Sequence, residues 1–348
     1  MDRHCRVLIG FDGFVDTLLF CVQKRLNPSS FQRLATIPQF AKKALEASGK
    51  SANIECVVKE LSLGGNGPLL ARCLASLGHK AVLCGTMGYP SLHPLFVPLK
   101  KLGLTLHSFA EPGQTKALEF TDGKLMLGMM GELQSLTLPE AMERIGNKLL
   151  PSLIEQAEFL VTANWTMMPL VGEFWDYLLH RSQLLQTGPK KSLFVDLADP
   201  AKRPINDLKK GLRTLSALNS ACSVIVGLNC SESLQVLSAL RLSTPSSLQQ
   251  RAEKIASALR LSTVVIHTRQ EVACTSLSEG TLSSHAFPVH VVKQPVRSTG
   301  AGDTFNAGFI AGWLRKEPPL ACLKAAVRAS GILIRTGLPP TAAQVFTK

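Results

Sequence analysis

The chain has 348 residues, 45% hydrophobic and 18% charged, and its 38 Lys and Arg against 25 Asp and Glu give a formal net charge of +13. That length suits one large α/β domain carrying an attached subdomain; the composition excludes a disordered chain, and every apolar run falls well short of the roughly 18 residues a membrane-spanning helix needs. The basic balance does not argue for nucleic acid, because Lys and Arg are spread along the chain without a dense run and aromatic residues are only 6% of the total. It suits a solvated surface that attracts phosphorylated ligands.

Nine cysteines, scattered from Cys5 to Cys322 with no C-x-x-C pair, suggest neither a disulfide framework nor a zinc cluster. They read as buried thiols in a reducing cytoplasm. The opening from Met1 to Gly10 lacks the basic segment, long apolar region and small-residue cleavage site of a secretion signal, so a cytoplasmic location is expected.

Arg6–Phe11 reads as a short buried strand, with Asp12, Gly13 and Asp16 past its carboxyl end, where open parallel sheets place ligands. Both acids also suit an ordinary turn. Phe31–Ser48 has helical amphipathicity, which Pro38 restricts to a helix that starts or kinks there. Val57–Leu63 is extended and runs into Gly64-Gly65-Asn66-Gly67-Pro68; a helix over Leu69–Leu77 follows, with Pro68 in its first turn and Gly78 as its stop. No Gly follows Gly67 three residues on, so this is not a dinucleotide fingerprint, and there is no Walker A sequence. Ala81–Gly85 reads as a strand and Leu92–Leu102 as a helix. Leu104–Phe109, Lys116–Thr121 and Leu125–Met130 read as strands, the last two joined through Asp122-Gly123, a hairpin signal that places them outside a parallel sheet.

In the second half, Pro139–Leu150 is read as a helix and Glu158–Ala163 as a strand that brings Asn164 to its carboxyl end. Leu170–Leu185 is helical, and Ser192–Leu197 is a strand leading to Asp196 and Asp199. The apolar strand Ser223–Gly227 precedes Asn229-Cys230-Ser231-Glu232 and a helix from Ser231. A helix over Ser247–Leu259, a strand over Thr263–Thr268 with Val272–Thr275 as its hairpin partner, and a strand over Phe287–Val292 come next. Then Gly300-Ala301-Gly302 allows backbone N–H groups to approach an anion, and the following helix adds its positive end. Asp303 at that helix start has two readings, a first-turn acid that completes the dipole or a general base beside a phosphate in transfer. Leu320–Thr336 is a second Ala-rich apolar helix suited to pack on it. The alternation predicts a single doubly wound, mainly parallel α/β domain over residues 1–348, its sheet flanked by helices.

Three stretches in order along the chain resemble the PfkB (ribokinase-like) sugar and nucleoside kinases: Gly10-Phe11-Asp12-Gly13-Phe14-Val15-Asp16, the Gly64–Gly78 run with its Gly-Gly-Asn start, and Ser298–Phe305 with Gly-Ala-Gly-Asp. The resemblance implies ATP-dependent phosphorylation of a sugar hydroxyl, with nucleosides as the alternative acceptor, ADP as an alternative donor, and a catalytically weak sugar- or nucleotide-binding regulator as a reading of another class. It assigns proton abstraction to Asp303, the phosphoryl group to Gly300, Ala301 and Gly302, and the acceptor to Asp16 first, then Asp12, with Gly64, Gly65 and Asn66. Asn164 joins them as a further acceptor candidate. Asn229-x-x-Glu232 matches a motif that positions water-bound magnesium and phosphates, and Thr268 lies where the family meets the nucleotide. A small strand lid, approximately residues 12–30 and 104–130, is implied over the acceptor, and its edge offers a route to a homodimer. The chain departs from the pattern in three places. The turn His267–Val272 has no glycine, Ala198 stands where Asp-x-Asn-x-Arg has its Asn, and Arg297 replaces an acid associated with a monovalent-cation site, a charge that disfavours potassium.

Overall fold

The computed structural model describes residues 7–347, so Cys5 and Arg6 lie outside the described residues. A nine-stranded sheet runs, edge to edge, through Thr281–Pro288, Glu271–Ser278, Thr263–His267, Ser223–Asn229, Ser192–Asp196, Phe159–Thr162, Val7–Phe11, Ala81–Gly85 and Thr105–Ser108. The seven strands from Thr263–His267 onward are parallel, and the first two are antiparallel additions. After Val7–Phe11 the chain builds outward on one side and then returns to lay Phe159–Thr162 on the other. The order therefore reverses between those two strands, and a crevice opens at their carboxyl ends.

Both faces of the sheet are covered, which is why its strands are apolar throughout rather than alternating. Leu8, Leu160, Leu193, Val195, Val224, Val226, Val264 and Ile266 enter one core, with the helices Leu170–His180, Ile205–Leu218 and Leu248–Leu259. Val7, Ile9, Phe159, Val161, Phe194, Ile225 and Val265 point the other way and meet the helices Asn66–Ser76, Ala301–Leu314 and Pro319–Thr336. Ala301–Leu314 is apolar on every side because it is packed on every side, with all of Asp303–Gly312 buried.

The second layer is a five-stranded sheet in which Phe14–Asn27 is central. It pairs antiparallel with Ser30–Arg33 and Cys56–Gly64 and parallel with Gly113–Glu119, which carries Lys124–Met129 through the Asp122-Gly123 turn. Cys21, Leu34, Leu118 and Phe120 form a small core under it.

Several expected elements change. Thr105–Ser108, expected in the small layer, is the parallel edge of the main sheet, and Cys56–Gly64 takes a place in the small layer instead. Phe31–Ser48 begins as a strand, and its helix is Ile37–Leu45, started by a reciprocal cap between Thr36 and Gln39 with Pro38 in the first turn. Leu92–Leu102 is a short 3₁₀ turn followed by Val97–Lys101. Pro139–Leu150 divides at Gly146 into Leu138–Ile145 and Leu149–Gln156, and Leu170–Leu185 ends as a helix at His180. Ile205–Leu218, with Leu208, Leu212, Leu215 and Leu218 on one face, is an additional helix. The last strand is Thr281–Pro288, not Phe287–Val292, joined to Glu271–Ser278 by the left-handed pair Glu279-Gly280. Among the described residues no helix is long and apolar enough to cross a membrane, and eight cysteines are free.

The two helices behind the glycine turn meet closely at Gly308, where a Cβ would lie 2.7 Å from Ala329 Cβ and 2.8 Å from Ala326 Cα. Gly308→Leu is expected to force them apart, destabilising the fold by roughly 1–3 kcal/mol. Thermal and urea unfolding measure the loss; an unchanged midpoint would mean that the helices are not locked at this crossing.

Candidate active site

The crevice at the strand-order reversal holds a cavity of about 770 Å³, walled by the small layer (Thr115, Met126, Met130), by strand ends and by the start of Ala301–Leu314. The two acids of the opening motif part company there. Asp12 is fully buried and does not line the cavity; its Oδ1 accepts the Gly67 amide at 2.7 Å, and its Oδ2 accepts the Asn66 amide and Asn164 Nδ2, each at 2.9 Å. Burial raises its pKa against those hydrogen bonds. It is a clasp between three segments. Asp16 does reach the cavity, on the strand position directly opposite Thr115. Burial raises its pKa, opposed by Thr115 and by the charge of Arg297.

The Gly-Gly-Asn turn explains itself physically. A Cβ on Gly64 would fall 2.3 Å from Asp16 Oδ2, so a side chain there evicts the acid. Gly65 turns the chain at φ +94° and lines the cavity. Asn66, its amide fixed on Asp12, sends Nδ2 to Asp303 Oδ1 at 2.8 Å. Asn164, left-handed at φ 59°, also lines the cavity, with its amide nitrogen on Asp12 and its Oδ1 accepting the Met167 amide at 3.3 Å.

Asp303 lies in the first turn of Ala301–Leu314, only 7% exposed yet lining the cavity. Burial raises its pKa to about 7; the nearby Asp12 and Asp16 push the same way, and the Asn66 bond pulls it down. Gly300, at φ +80°, heads the helix. The amides of Gly300 and Gly302 have no acceptor among the described residues, and both glycines line the cavity. Such orphaned donors at a helix N-terminus fit an anion. The Ala301 amide is different: it is committed to the Ser298 carbonyl at 3.2 Å.

Across the cavity, Asn229 and Glu232 form a reciprocal cap on the helix Cys230–Ala239: Asn229 Oδ1 accepts the Glu232 amide at 3.0 Å, and Glu232 Oε2 accepts the Asn229 amide at 2.7 Å. Glu232 Oε1 accepts the Asp199 amide at 2.9 Å, and burial raises the pKa of this carboxyl. Asp196 accepts Asn306 Nδ2 at 2.7 Å and the Ala198 amide at 2.9 Å; burial, with Glu232 and Asp303 nearby, holds its pKa well above the usual carboxylate range. Asp196, Asp199 and Glu232 share this wall, yet among the described residues no group of three His, Cys, Asp or Glu is set to hold a bare metal. A donor set of spread carboxylates fits magnesium that keeps its waters.

Thr268 is not in the cavity wall: its hydroxyl serves the turn, accepting the Gln270 and Glu271 amides at 3.1 and 2.9 Å. His267 is there instead, tilted on Phe305 at 4.8 Å between centroids, with burial lowering its pKa to about 4. Nothing in the sequence marked His267, because a lone His at a strand end has no spacing to read. Thr115 was detectable only once the register with Asp16 was known.

A doubly wound sheet with a strand lid over an acid at a glycine-headed helix is the architecture of the ribokinase-like phosphotransferases that act on alcohol acceptors. The chain superposes on ribokinase from Thermotoga maritima with TM-score 0.64 at 16% identity, covering 98% of this chain and 97% of that one. Adenosine kinase from Schistosoma mansoni gives 0.64 at 19% identity with 96% of both chains covered, and Escherichia coli phosphofructokinase-2 with fructose-6-phosphate gives 0.63 at 14% identity, covering 98% and 96%. The family model described as prokaryotic ketohexokinase matches residues 2–347, and the chain belongs to that family. A ketohexokinase of Haloferax volcanii is 28% identical over 339 residues, 97% of this chain and 88% of the relative. The fold and kinase family read from the three motifs are borne out.

Asp303 is held at a pKa of about 7, against roughly 3.9 in an unfolded chain, so the folded state favours its proton. Its ionisation therefore costs stability as pH rises from about 4 to 7, and the whole penalty is present above 7. Asp303→Asn is expected to melt higher than the parent at pH 8, with the gain vanishing toward pH 4. Thermal unfolding across that range measures it; parallel curves would place the carboxylate in a water-like setting.

Proposed function

We propose that the chain phosphorylates a hydroxyl of a ketohexose with ATP, Asp303 acting as the general base. The observation that carries this reading is Asp303 itself, facing the cavity beside unsatisfied amides with its pKa near working pH. The ketohexose follows from the family; Asp16 and Asn164 offer an acid and an amide at the right wall for its hydroxyls.

Asn66 occupies Asp303 Oδ1 and leaves Oδ2 for the acceptor hydroxyl. As that oxygen attacks, its proton passes to Oδ2, and the amides of Gly300 and Gly302 stabilise charge on the transferring group. Glu232 and Asp196 would hold magnesium through water, with Asn229 fixing Glu232; the ion's contribution is to neutralise the donor phosphates. Met126 and Met130 wall the cavity on the side of the small layer. Cytoplasmic residence and a homodimer through the lid, whose Val58, Leu61, Leu127 and Met129 are exposed, belong to the same reading.

Asp303→Asn should lower kcat roughly 100- to 10,000-fold while the protein stays folded, as general-base removal does. The wild-type rate should fall tenfold per pH unit below about 7. Because the Asn66 bond depresses the Asp303 pKa, Asn66→Ala should move that limb to higher pH. A pH–rate profile with no limb near 7, or a brisk Asp303→Asn enzyme, would make the acid a cap only. Chelation by EDTA should silence turnover, and Glu232→Gln, which keeps an acceptor for the Asn229 amide and gives up the one for Asp199, should raise the magnesium concentration for half-maximal rate several-fold. An EDTA-resistant enzyme argues against the outer-sphere role.

A further inference from the structure

Two of the free cysteines face each other across the small layer. Cys21 of the strand Phe14–Asn27 and Cys56, the first residue of Cys56–Gly64, are register partners in an antiparallel pairing, with their Sγ atoms 3.9 Å apart. The Val22 amide donates to the Glu55 carbonyl at 2.8 Å, so the two cysteines occupy the position between hydrogen-bonded pairs. Antiparallel strands bring side chains closest there, with Cα atoms about 4.5 Å apart, inside the roughly 4.4–6.8 Å that a disulfide spans.

Their surroundings differ. Cys56 is exposed, whereas Cys21 is fully buried in the small core with Leu34, Leu118 and Phe120. Burial, with the Cys56 thiol beside it, pushes Cys21 up to about 11. Cys56 is therefore the sulfur that a dissolved oxidant reaches, and Cys21 the shielded one held against it. Cys230, also exposed, has Arg251 Nη1 at 3.7 Å and no second thiol within hydrogen-bond reach among the described residues. The pair is also well placed in the fold. Asp16 lies upstream of Cys21 on the same strand, and the partner strand ends at Gly64, whose bare backbone makes room for that acid. Between the cysteines and Asp16 the register shifts, where Leu18 and Leu19 meet Glu60 and Val58. Such a bulge interrupts the ladder, so the cysteines hold the strands together on its far side.

We propose that Cys21 and Cys56 are a redox site that a hydroperoxide converts to a reversible disulfide, locking the strand of Asp16 to the strand that ends at Gly64. The Cys56 thiolate attacks a peroxide oxygen; the O–O bond breaks, leaving a sulfenic acid on Cys56 and a hydroxide that takes up a proton and departs as water. The Cys21 sulfur then attacks the sulfenic sulfur; the S–O bond breaks, and the hydroxyl leaves with the Cys21 proton as a second water. Two electrons pass from the sulfur pair to the peroxide, and a dithiol reductant returns them. In a reducing compartment such a bond is transient, as a sensor requires. Its closure stiffens the small layer and spares Cys56 from further oxidation. This inference does not rest on the kinase reading.

The test is exposure of the protein to a slight excess of hydrogen peroxide. The parent should lose two free thiols and become two hydrogens lighter while staying a single chain, with a Cys21–Cys56 peptide found by mass spectrometry. After trypsin cuts at Lys50, in the exposed stretch 46–55 of the loop the bond closes, the pieces should stay joined until dithiothreitol is added. The oxidised protein should melt several degrees above the reduced one, and reduction should reverse the shift. Cys56→Ser, a change at an exposed position, should abolish the crosslink and the shift. Cys21→Ser should leave a sulfenic acid on Cys56 that dimedone traps and that more peroxide carries to the sulfinic acid. A parent whose Cys56 goes to the sulfinic acid while Cys21 stays a thiol, or whose crosslink maps to another pair, overturns the redox site. An oxidised parent that melts no higher than the reduced one overturns the lock.

Discussion

Everything at this site is hung on the buried carboxylate of Asp12. Removed from water, it persists because three donors converge on it, the Asn66 and Gly67 amides and Asn164 Nδ2, and buried charge without such partners is expensive. Those donors come from the turn before the helix Asn66–Ser76 and from the end of Phe159–Thr162, while Asp12 ends Val7–Phe11. One side chain thus ties together the two strands between which the sheet order reverses and the turn that faces them. Because the same turn carries Asn66, the clasp also sets where Asn66 Nδ2 meets Asp303. Asp12 itself does not line the cavity; it holds the turn that carries Asn66.

Asp16, the acid proposed to meet the acceptor, is fixed by a different device. Asp16 sits two residues into Phe14–Asn27, a strand paired on both sides at that point, with Ser62 opposite on one neighbour and Thr115 on the other. Just upstream, the Gly13 carbonyl accepts the Gly113 amide at 2.9 Å and the Thr86 hydroxyl at 3.2 Å. The acid therefore projects from a braced strand instead of a free loop, with the bare backbone of Gly64 making room for it. Preorganisation of this kind spares the binding event the cost of ordering the contact.

How much of this was legible in the sequence follows from the range of each signal. Gly300 to Asp303 and Gly64 to Asn66 are contiguous, and a local turn chemistry reveals itself locally. The parallel strands were readable as short apolar runs because both faces are covered. What failed was pairing: nothing between Leu104 and Phe109 says whether that strand joins Ala81–Gly85 or the lid, since an edge choice is made by tertiary contacts. The same blindness hid the split between Asp12 and Asp16, which are alike in sequence and differ only in what encloses them. Thr268 was chosen for its position in a family pattern, yet with no glycine in the turn its hydroxyl satisfies Gln270 and Glu271, leaving His267 to face the cavity.

The remaining feature is electrostatic. Asp16, Asp196, Glu232 and Asp303 line one cavity, and burial raises the pKa of each. Burial favours the neutral form of each, and ionising them together costs stability unless positive charge lies near. Lys202, 3.4 Å from Asp199, answers only the rim. Two helices, Cys230–Ala239 and Ala301–Leu314, start at this wall and bring partial positive charge to it, the second with the unpaired amides of Gly300 and Gly302. Those amides favour phosphate, while the carboxylates repel it unless a hydrated cation lies between. Under the kinase reading proposed above, the two halves would be complementary when nucleotide phosphates and a divalent ion bind together.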